Sequence, residues 1–328
     1  MFRNLRVAVL VTVQIVTHGA ARAVGVFHPP KRARMFDISP QLFALQLMTG
    51  IALGAVYALL AIGLSLIFGM LTVVNFAHGA FFMVGAFLGV YSLGLTGSFW
   101  FSLLLVPLAT GAIGLVCERF LVRPLYGRGI DYPLLLTFGL SYVLIDVMRF
   151  AFGIEGVPTS TPAELKGSVF LGFGHFPLYR LFLIAATAVI VLGLWLFIEK
   201  TRYGLIIRAG SRDPEIVKVL GIDIAKVWWL VFGLGTAIAG LSGLLAAPTR
   251  AVNPEMGIPI LAESFVVTVV GGMGSLPGAV VAGLLVGVVF AMTALVAPEY
   301  AELSIFVLMA VVLLVRPQGF FGKAGLMS

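Results

Sequence analysis

The feature that most constrains this chain is a succession of apolar stretches, each about 20 residues long, which is the length a helix needs to cross a bilayer core. Short polar or Gly/Pro-rich joints separate them. Of the 328 residues 60% are hydrophobic and only 11% are charged, against roughly 25% charged in a soluble domain. So few charges cannot cover a water-facing surface, and soluble Rossmann or hydrolase folds are disfavoured because their surfaces must meet water. The expected fold class is all-α: a polytopic transmembrane helical bundle with short or broken helices and about 8–9 membrane passages.

The predicted helices are 43–69, 76–96, 99–118, 132–152, 178–198, 228–247, 260–272, 278–297 and 302–315. The run 260–272 is short for a crossing and ends in Gly271-Gly272-Met273-Gly274-Ser275, so it reads as a half-helix or a re-entrant piece. Basic loops stay preferentially on the cytoplasmic side. Arg119, Arg123 and Arg128 therefore place 119–131 inside, and Lys200, Arg202, Arg208, Arg212, Lys218 and Lys226 do the same for 199–226. The segments 153–177 and 248–259 fall outside, and Arg316 and Lys323 put the C-terminus inside.

Residues 1–34 are compositionally foreign, with Arg3, Arg6, Arg22, Lys31, Arg32 and Arg34 and no acidic residue. They read as a signal peptide, an extra crossing, an interfacial helix or an overlong start with Met35 as initiator. Counting back from 119–131 puts the N-terminus outside, in conflict with that basic segment unless the chain starts at Met35, residues 5–27 cross once with the cluster 31–34 tolerated outside, or the first hairpin is miscounted. The body of the protein is taken as 35–322, with 323–328 a tail. The net charge of +7 reports loop orientation rather than nucleic-acid binding. A single cysteine, Cys117, excludes an intrachain disulfide and argues against a metal cluster.

The hairpin 199–226 carries the strongest functional signal. It reads as two short helices broken at Pro214. Its charges are interrupted by Ala209, Ile216, Val219, Leu220 and Gly221, an amphipathic pattern that needs another surface to cover it. A solvated loop is the plainer alternative. Elsewhere Gly69, Asn75 and Gly79 interrupt apolar continuity, and a backbone break in a membrane is tolerable only where protein, water or solute satisfies it. His78 reads either as a brace for a neighbouring helix or as a contact for a polar solute. Asp146 and Arg149 read as buried ionisable residues one helical turn apart, spaced for an intrahelical ion pair. Glu263 lies at an interface or lines a route together with Ser264 and Thr268, while Gly271 and Gly272 mark a tight break. Trp228 and Trp229 read as an interfacial anchor. No Gly-rich loop followed by Gly-Lys-Ser/Thr is present to cradle ATP, and no catalytic constellation is recoverable.

Several blocks resemble one family. The hairpin 199–226 is similar to the coupling loop of ABC importer permeases of the branched-chain amino acid class. Asn75-Phe76-Ala77-His78-Gly79, Arg123-Pro124-Leu125, Gly271-Gly272-Met273-Gly274-Ser275, Pro277-Gly278-Ala279 and Arg316-Pro317-Gln318-Gly319-Phe320-Phe321-Gly322 also look like family blocks, over residues 41–322. The resemblance implies a transport subunit of the bacterial inner membrane rather than an enzyme. It would be paired with a related permease, two cytoplasmic ATPases that bind ATP and Mg, and an extracytoplasmic solute-binding protein, with no metal or cofactor of its own. Coupling would fall to Arg202, Gly204, Arg208, Ala209, Asp213, Glu215 and Gly221. The pathway candidates are Asn75, His78, Glu263, Ser264, Thr268, Gly271 and Gly272. The family also includes urea and short-amide permeases. The rival readings are an ATP-independent secondary transporter or channel, and a purely structural membrane subunit.

Overall fold

The computed structural model describes residues 39–322 apart from positions 72 and 130, so the readings of the basic segment 1–34 and of the tail 323–328 fall outside the described residues. The membrane helices are α1 (Pro40–Leu71), α2 (His78–Thr96), α3 (Phe99–Cys117), α4 (Asp131–Phe152), α5 (Leu178–Lys200), α8 (Ile224–Ala246), α9 (Gly257–Gly271), α10 (Leu276–Val296) and α11 (Ala301–Val315). Two short helices, α6 (Arg202–Gly210) and α7 (Pro214–Val219), form the hairpin between α5 and α8. Among the described residues eight helices are long and apolar enough to span a bilayer, and α9 is the shorter ninth. The chain is a polytopic all-α bundle.

Helices α1, α2 and α8 form its buried centre, whereas α4, α5 and α11 bury only a minority of their residues and lie on the flanks. Exposed leucines and phenylalanines would be a liability in water, but a lipid-facing flank carries no such cost. With no hydrophobic force between helices in lipid, close van der Waals packing must hold the centre together, and small residues permit it. Helices α1 and α10 run antiparallel with glycines face to face. A β-carbon on Gly54 would come within 2.7 Å of the Gly283 carbonyl oxygen, and one on Gly50 within 2.8 Å of Val288 Cα.

Helix ends follow local chemistry. Ser98 accepts from the Phe101 N–H and caps α3, and Ser275 does the same for α10 through Gly278. Helix α8 starts at Ile224 rather than at 228 because the Asp223 carboxylate accepts from the Ala225 N–H and caps it there. In the hairpin, Pro214 is the first residue of α7 rather than the break itself. The missing N–H costs nothing at that position, and Asp213 caps the helix through Glu215 and Ile216.

Two departures from the expected pattern stand out. Residues 153–177 contain a small antiparallel hairpin, β1 (Ser168–Phe170) and β2 (His175–Pro177), pairing Val169 with Phe176. Beyond Cys117, α3 runs on as a π turn over Glu118–Val122 and a 3₁₀ turn over Arg123–Leu125. The bundle thus has a hairpin end, where Gly210 meets Met70 and Gly69 meets Gly274, and an opposite end, where Val157 bridges to Val252.

Candidate translocation and coupling site

Helix α1 ends at Leu71, yet the His78 imidazole sits 3.0 Å from the Leu60 carbonyl, about 16 Å back along α1 at 1.5 Å per residue. Residues 73–77 therefore turn back into the bundle before α2 begins. A carbonyl only accepts, so His78 Nε2 carries the proton and Nδ1 is left a bare acceptor. Asn75 Oδ1 accepts from the Ala77 N–H at 3.1 Å, and the Phe76 N–H reaches Thr137 Oγ1 at 3.2 Å. Asn75 and His78 are fully buried, and among the described residues Asn75 Nδ2 and His78 Nδ1 have no partner. Protein rather than lipid covers this backbone break, and it holds one unspent donor and one unspent acceptor. Gly79 lies flush against Gly257, which opens α9.

Along α9, Ser264 and Thr268 are buried with their hydroxyls bonded to backbone carbonyls of the same helix, at 2.8 Å to Leu261 and 2.8 Å to Ser264. Gly271 packs on Gly278. Gly272, at φ 97°, lies against the C-terminal segment. The Phe320 and Phe321 N–H groups donate to the Val270 and Gly271 carbonyls at 2.9 and 3.0 Å. The block 316–322 thereby satisfies carbonyls that the end of α9 would otherwise leave orphaned.

Glu263 is buried and neither lies on an exposed interface nor stands alone. Arg250 Nη2 donates to Glu263 Oε2 at 3.2 Å and to the Tyr57 hydroxyl at 3.3 Å. Its guanidinium carbon lies 5.8 Å from the Tyr57 ring centroid. The same guanidinium helps line a cavity of about 170 Å³ between α1, α5 and the 246–250 segment, with Arg180, Thr49 and Thr249. Arg180 Nη1 donates to Thr49 Oγ1 at 2.8 Å. Two guanidiniums and one carboxylate leave this small cavity cationic, which suits the carboxylate of an incoming solute. Arg250, Arg180 and Tyr57 were not singled out from the sequence as site residues. The available signal was an arginine 13 positions before a glutamate that sits within an apolar run.

Because Arg250 and Glu263 compensate each other, Arg250→Gln and Glu263→Gln should each destabilise the protein by about 2–3 kcal/mol, and the double variant by less than their sum. Thermal unfolding in detergent across the four proteins measures this. Strict additivity would mean that the two groups are not coupled.

The hairpin 199–226 is held at three points. Thr201 caps α6 by accepting from the Gly204 N–H at 3.1 Å, and at Gly204 a side chain would overlap the Ile198 carbonyl. Arg208 pairs with Glu199 at the end of α5, so its charge braces the hairpin. Gly210 packs on Ile224 of α8 and Met70 of α1. Arg202, Ala209, Glu215 and Gly221 lie exposed, Glu215 pairing with Lys218 at 2.6 Å and Gly221 at φ 80°. Val217 is buried beneath them, whereas Tyr203, Ile216, Val219 and Leu220 point outward, Val219 at 86% exposure.

Beside the hairpin, the Glu118 carboxylate is completely buried in the π turn. It accepts from Arg123 at 2.8 and 3.2 Å and from the Tyr126 hydroxyl at 3.0 Å, and Arg123 also donates to the Ala225 carbonyl at 3.2 Å. Burial, then the adjacent carboxylate, push the Tyr126 phenol above its ordinary value, so it stays a donor. Nothing in the local sequence pattern marks Glu118 as a site residue.

One expectation is corrected. Asp146 and Arg149 do pair, at 3.1 Å, but at an exposed rim where Arg149 also binds Glu255 at 2.7 Å, so they are not charges buried in the bundle. Trp228 and Trp229 pin α8 to α3 and its extension. Trp228 packs edge-on to Tyr126 with centroids 4.9 Å apart, and the Trp229 indole N–H donates to the Leu115 carbonyl at 3.0 Å. Among the described residues no three His, Cys, Asp or Glu side chains gather as metal ligands would.

Comparison with known proteins follows the same helices. The family model described as "branched-chain amino acid transport system / permease component" matches residues 46–315, from within α1 to the last residue of α11. The high-affinity branched-chain amino acid transport system permease protein BraD of Pseudomonas aeruginosa is 32% identical over 292 residues, covering 85% of this chain and 95% of that one. The corresponding LivH of Escherichia coli K12 is 31% identical over 299 residues, at 86% and 96% coverage. A probable LivH of Methanocaldococcus jannaschii is 29% identical over 239 residues, at 70% and 74%. No solved structure matches. With a multi-pass bundle, a braced polar hairpin and a match across nearly the whole membrane body, this chain belongs to the family of permease components of branched-chain amino acid transport systems.

Proposed function

We propose that this chain is one of two related membrane subunits of an ATP-driven amino acid importer in the cytoplasmic membrane. A second permease, two cytoplasmic ATPases carrying ATP and Mg, and an external solute-binding protein complete it. The hairpin 199–226 and the C-terminus face the cytoplasm, in keeping with the six basic residues between Lys200 and Lys226. One observation carries the reading: Tyr203, Ile216, Val219 and Leu220 form an uncovered apolar surface on a hairpin otherwise rich in charge, suited to burial against a soluble partner. Through the Arg208–Glu199 pair and the Gly210 contacts, a push on that surface reaches α5, α8 and α1 together.

The solute passes beside the break at Asn75 and His78 and along α9. The cationic cavity at Arg180 and Arg250, with Glu263 behind it, complements a zwitterion better than neutral urea or a short amide, and the curated relatives' names point to branched-chain amino acids. Vesicles containing the whole assembly should take up leucine only with internal ATP and the binding protein. Uptake by this chain alone down a proton or solute gradient would establish the rival secondary transporter or channel. Uptake of urea in preference to leucine would reassign the solute.

In the same vesicles, Val219→Asp combined with Leu220→Asp should cut co-purification of the ATPases about tenfold or more. Arg208→Ala should lower transport-coupled ATP hydrolysis while binding-protein affinity for solute stays unchanged. Unaltered coupling in both variants would remove the hairpin from the mechanism.

A further inference from the structure

We infer that the groove between the end of α3 and the start of α8 is a binding site for one anionic phospholipid of the leaflet on the hairpin side. The groove encloses about 520 Å³. Its polar rim carries Arg119, Arg123 and Lys226 against Asp223. Arg123 is spent on the buried Glu118, whereas among the described residues Arg119 has no carboxylate at ion-pairing distance, and Lys226 holds the exposed Asp223 only at 3.5 Å. Two cations therefore face the groove against one carboxylate, an excess that a phosphodiester neutralises.

The rest of the lining is apolar. It is built from Val116, Phe120 and Trp229, with Phe120 70% exposed. This wall continues onto the lipid-facing flank of α3, where Leu104 and Leu108 are also exposed. Charge at a helix end with hydrocarbon beside it is the pattern that recognises an acidic headgroup and its acyl chains together. A free phosphate would use only the rim. The Trp229 indole N–H is already taken by the Leu115 carbonyl, so the ring is held as a fixed wall.

The test is native mass spectrometry of the full purified chain, with phosphatidylglycerol or phosphatidylethanolamine titrated into detergent. Wild-type protein should retain one phosphatidylglycerol in preference to phosphatidylethanolamine. Arg119→Gln combined with Lys226→Gln should weaken retention about 25-fold, and Arg119→Lys with Lys226→Arg should restore most of it. Arg316→Gln, a basic residue outside the groove, should change nothing. Raising salt should release phosphatidylglycerol from the wild-type chain alone, a readout independent of whether the variants fold. Equal retention of the two lipids, or displacement by millimolar inorganic phosphate or glycerophosphate, would overturn the inference.

Discussion

Gly85→Leu is expected to leave almost no folded protein in the membrane fraction. Helices α2 and α8 cross with Gly85 lying directly on the Gly240 backbone, and Gly243 on the backbone of Phe82, so a side chain there meets main-chain atoms that cannot rotate away. The helices would have to separate along their whole contact, at the centre of the bundle. Overpacking in a rigid core costs about 1–3 kcal/mol where side chains can yield, and more where backbone is struck. Gly94→Ala on the same helix is the matched control, because nothing lies within 4 Å of that position. It should be neutral or stabilising by up to about 1 kcal/mol, since alanine is the better helix former. Size-exclusion profiles and membrane yields of the two variants decide the matter. Comparable yields would mean that the α2–α8 contact does not hold the bundle together.

Glu118→Ala should be the most damaging change among the charged residues. The carboxylate is wholly buried and receives three hydrogen bonds from Arg123 and Tyr126. Its removal strips the partner from a guanidinium that is itself largely covered, and breaking such a pair costs about 3–5 kcal/mol. Arg123 keeps some access to water, so the lower end applies, with a fall in melting temperature of about 4–5 °C for a chain of this size. Glu118→Gln retains the shape and part of the bonding and should lose less. Because Arg123 also bonds the Ala225 carbonyl, the damage should spread to the start of α8 and loosen the hairpin beside it. A scanning-calorimetry shift of under a degree for the alanine variant would show that the pair is merely accommodated.

Much of this was legible in the residues. The helices appeared at their observed places within a few positions, because an apolar run of membrane length leaves the backbone little alternative. The caps at Asp213 and Asp223 were present as residues, although their exact effect on helix starts was not drawn. The exposure of Val219 and Leu220 followed from their position among charges. The β-hairpin at 168–177 was missed because its strands are three residues each, too short to show a period. The apolar run around Asp146 and Arg149 predicts that they are buried, but linear sequence does not say which face of α4 meets protein.

By itself, then, the sequence determined the solvent of this protein, its helical class, the segregation of basic loops and the family blocks, since each depends on composition or local spacing. Only the tertiary structure decided that Arg250 faces Glu263 and Tyr57, that residues 316–322 close the end of α9, and that the Arg123 held by Glu118 reaches the Ala225 carbonyl at the start of α8. Those pairings come from the angle and depth at which helices cross, which backbone contact at facing glycines sets and no one-dimensional pattern encodes.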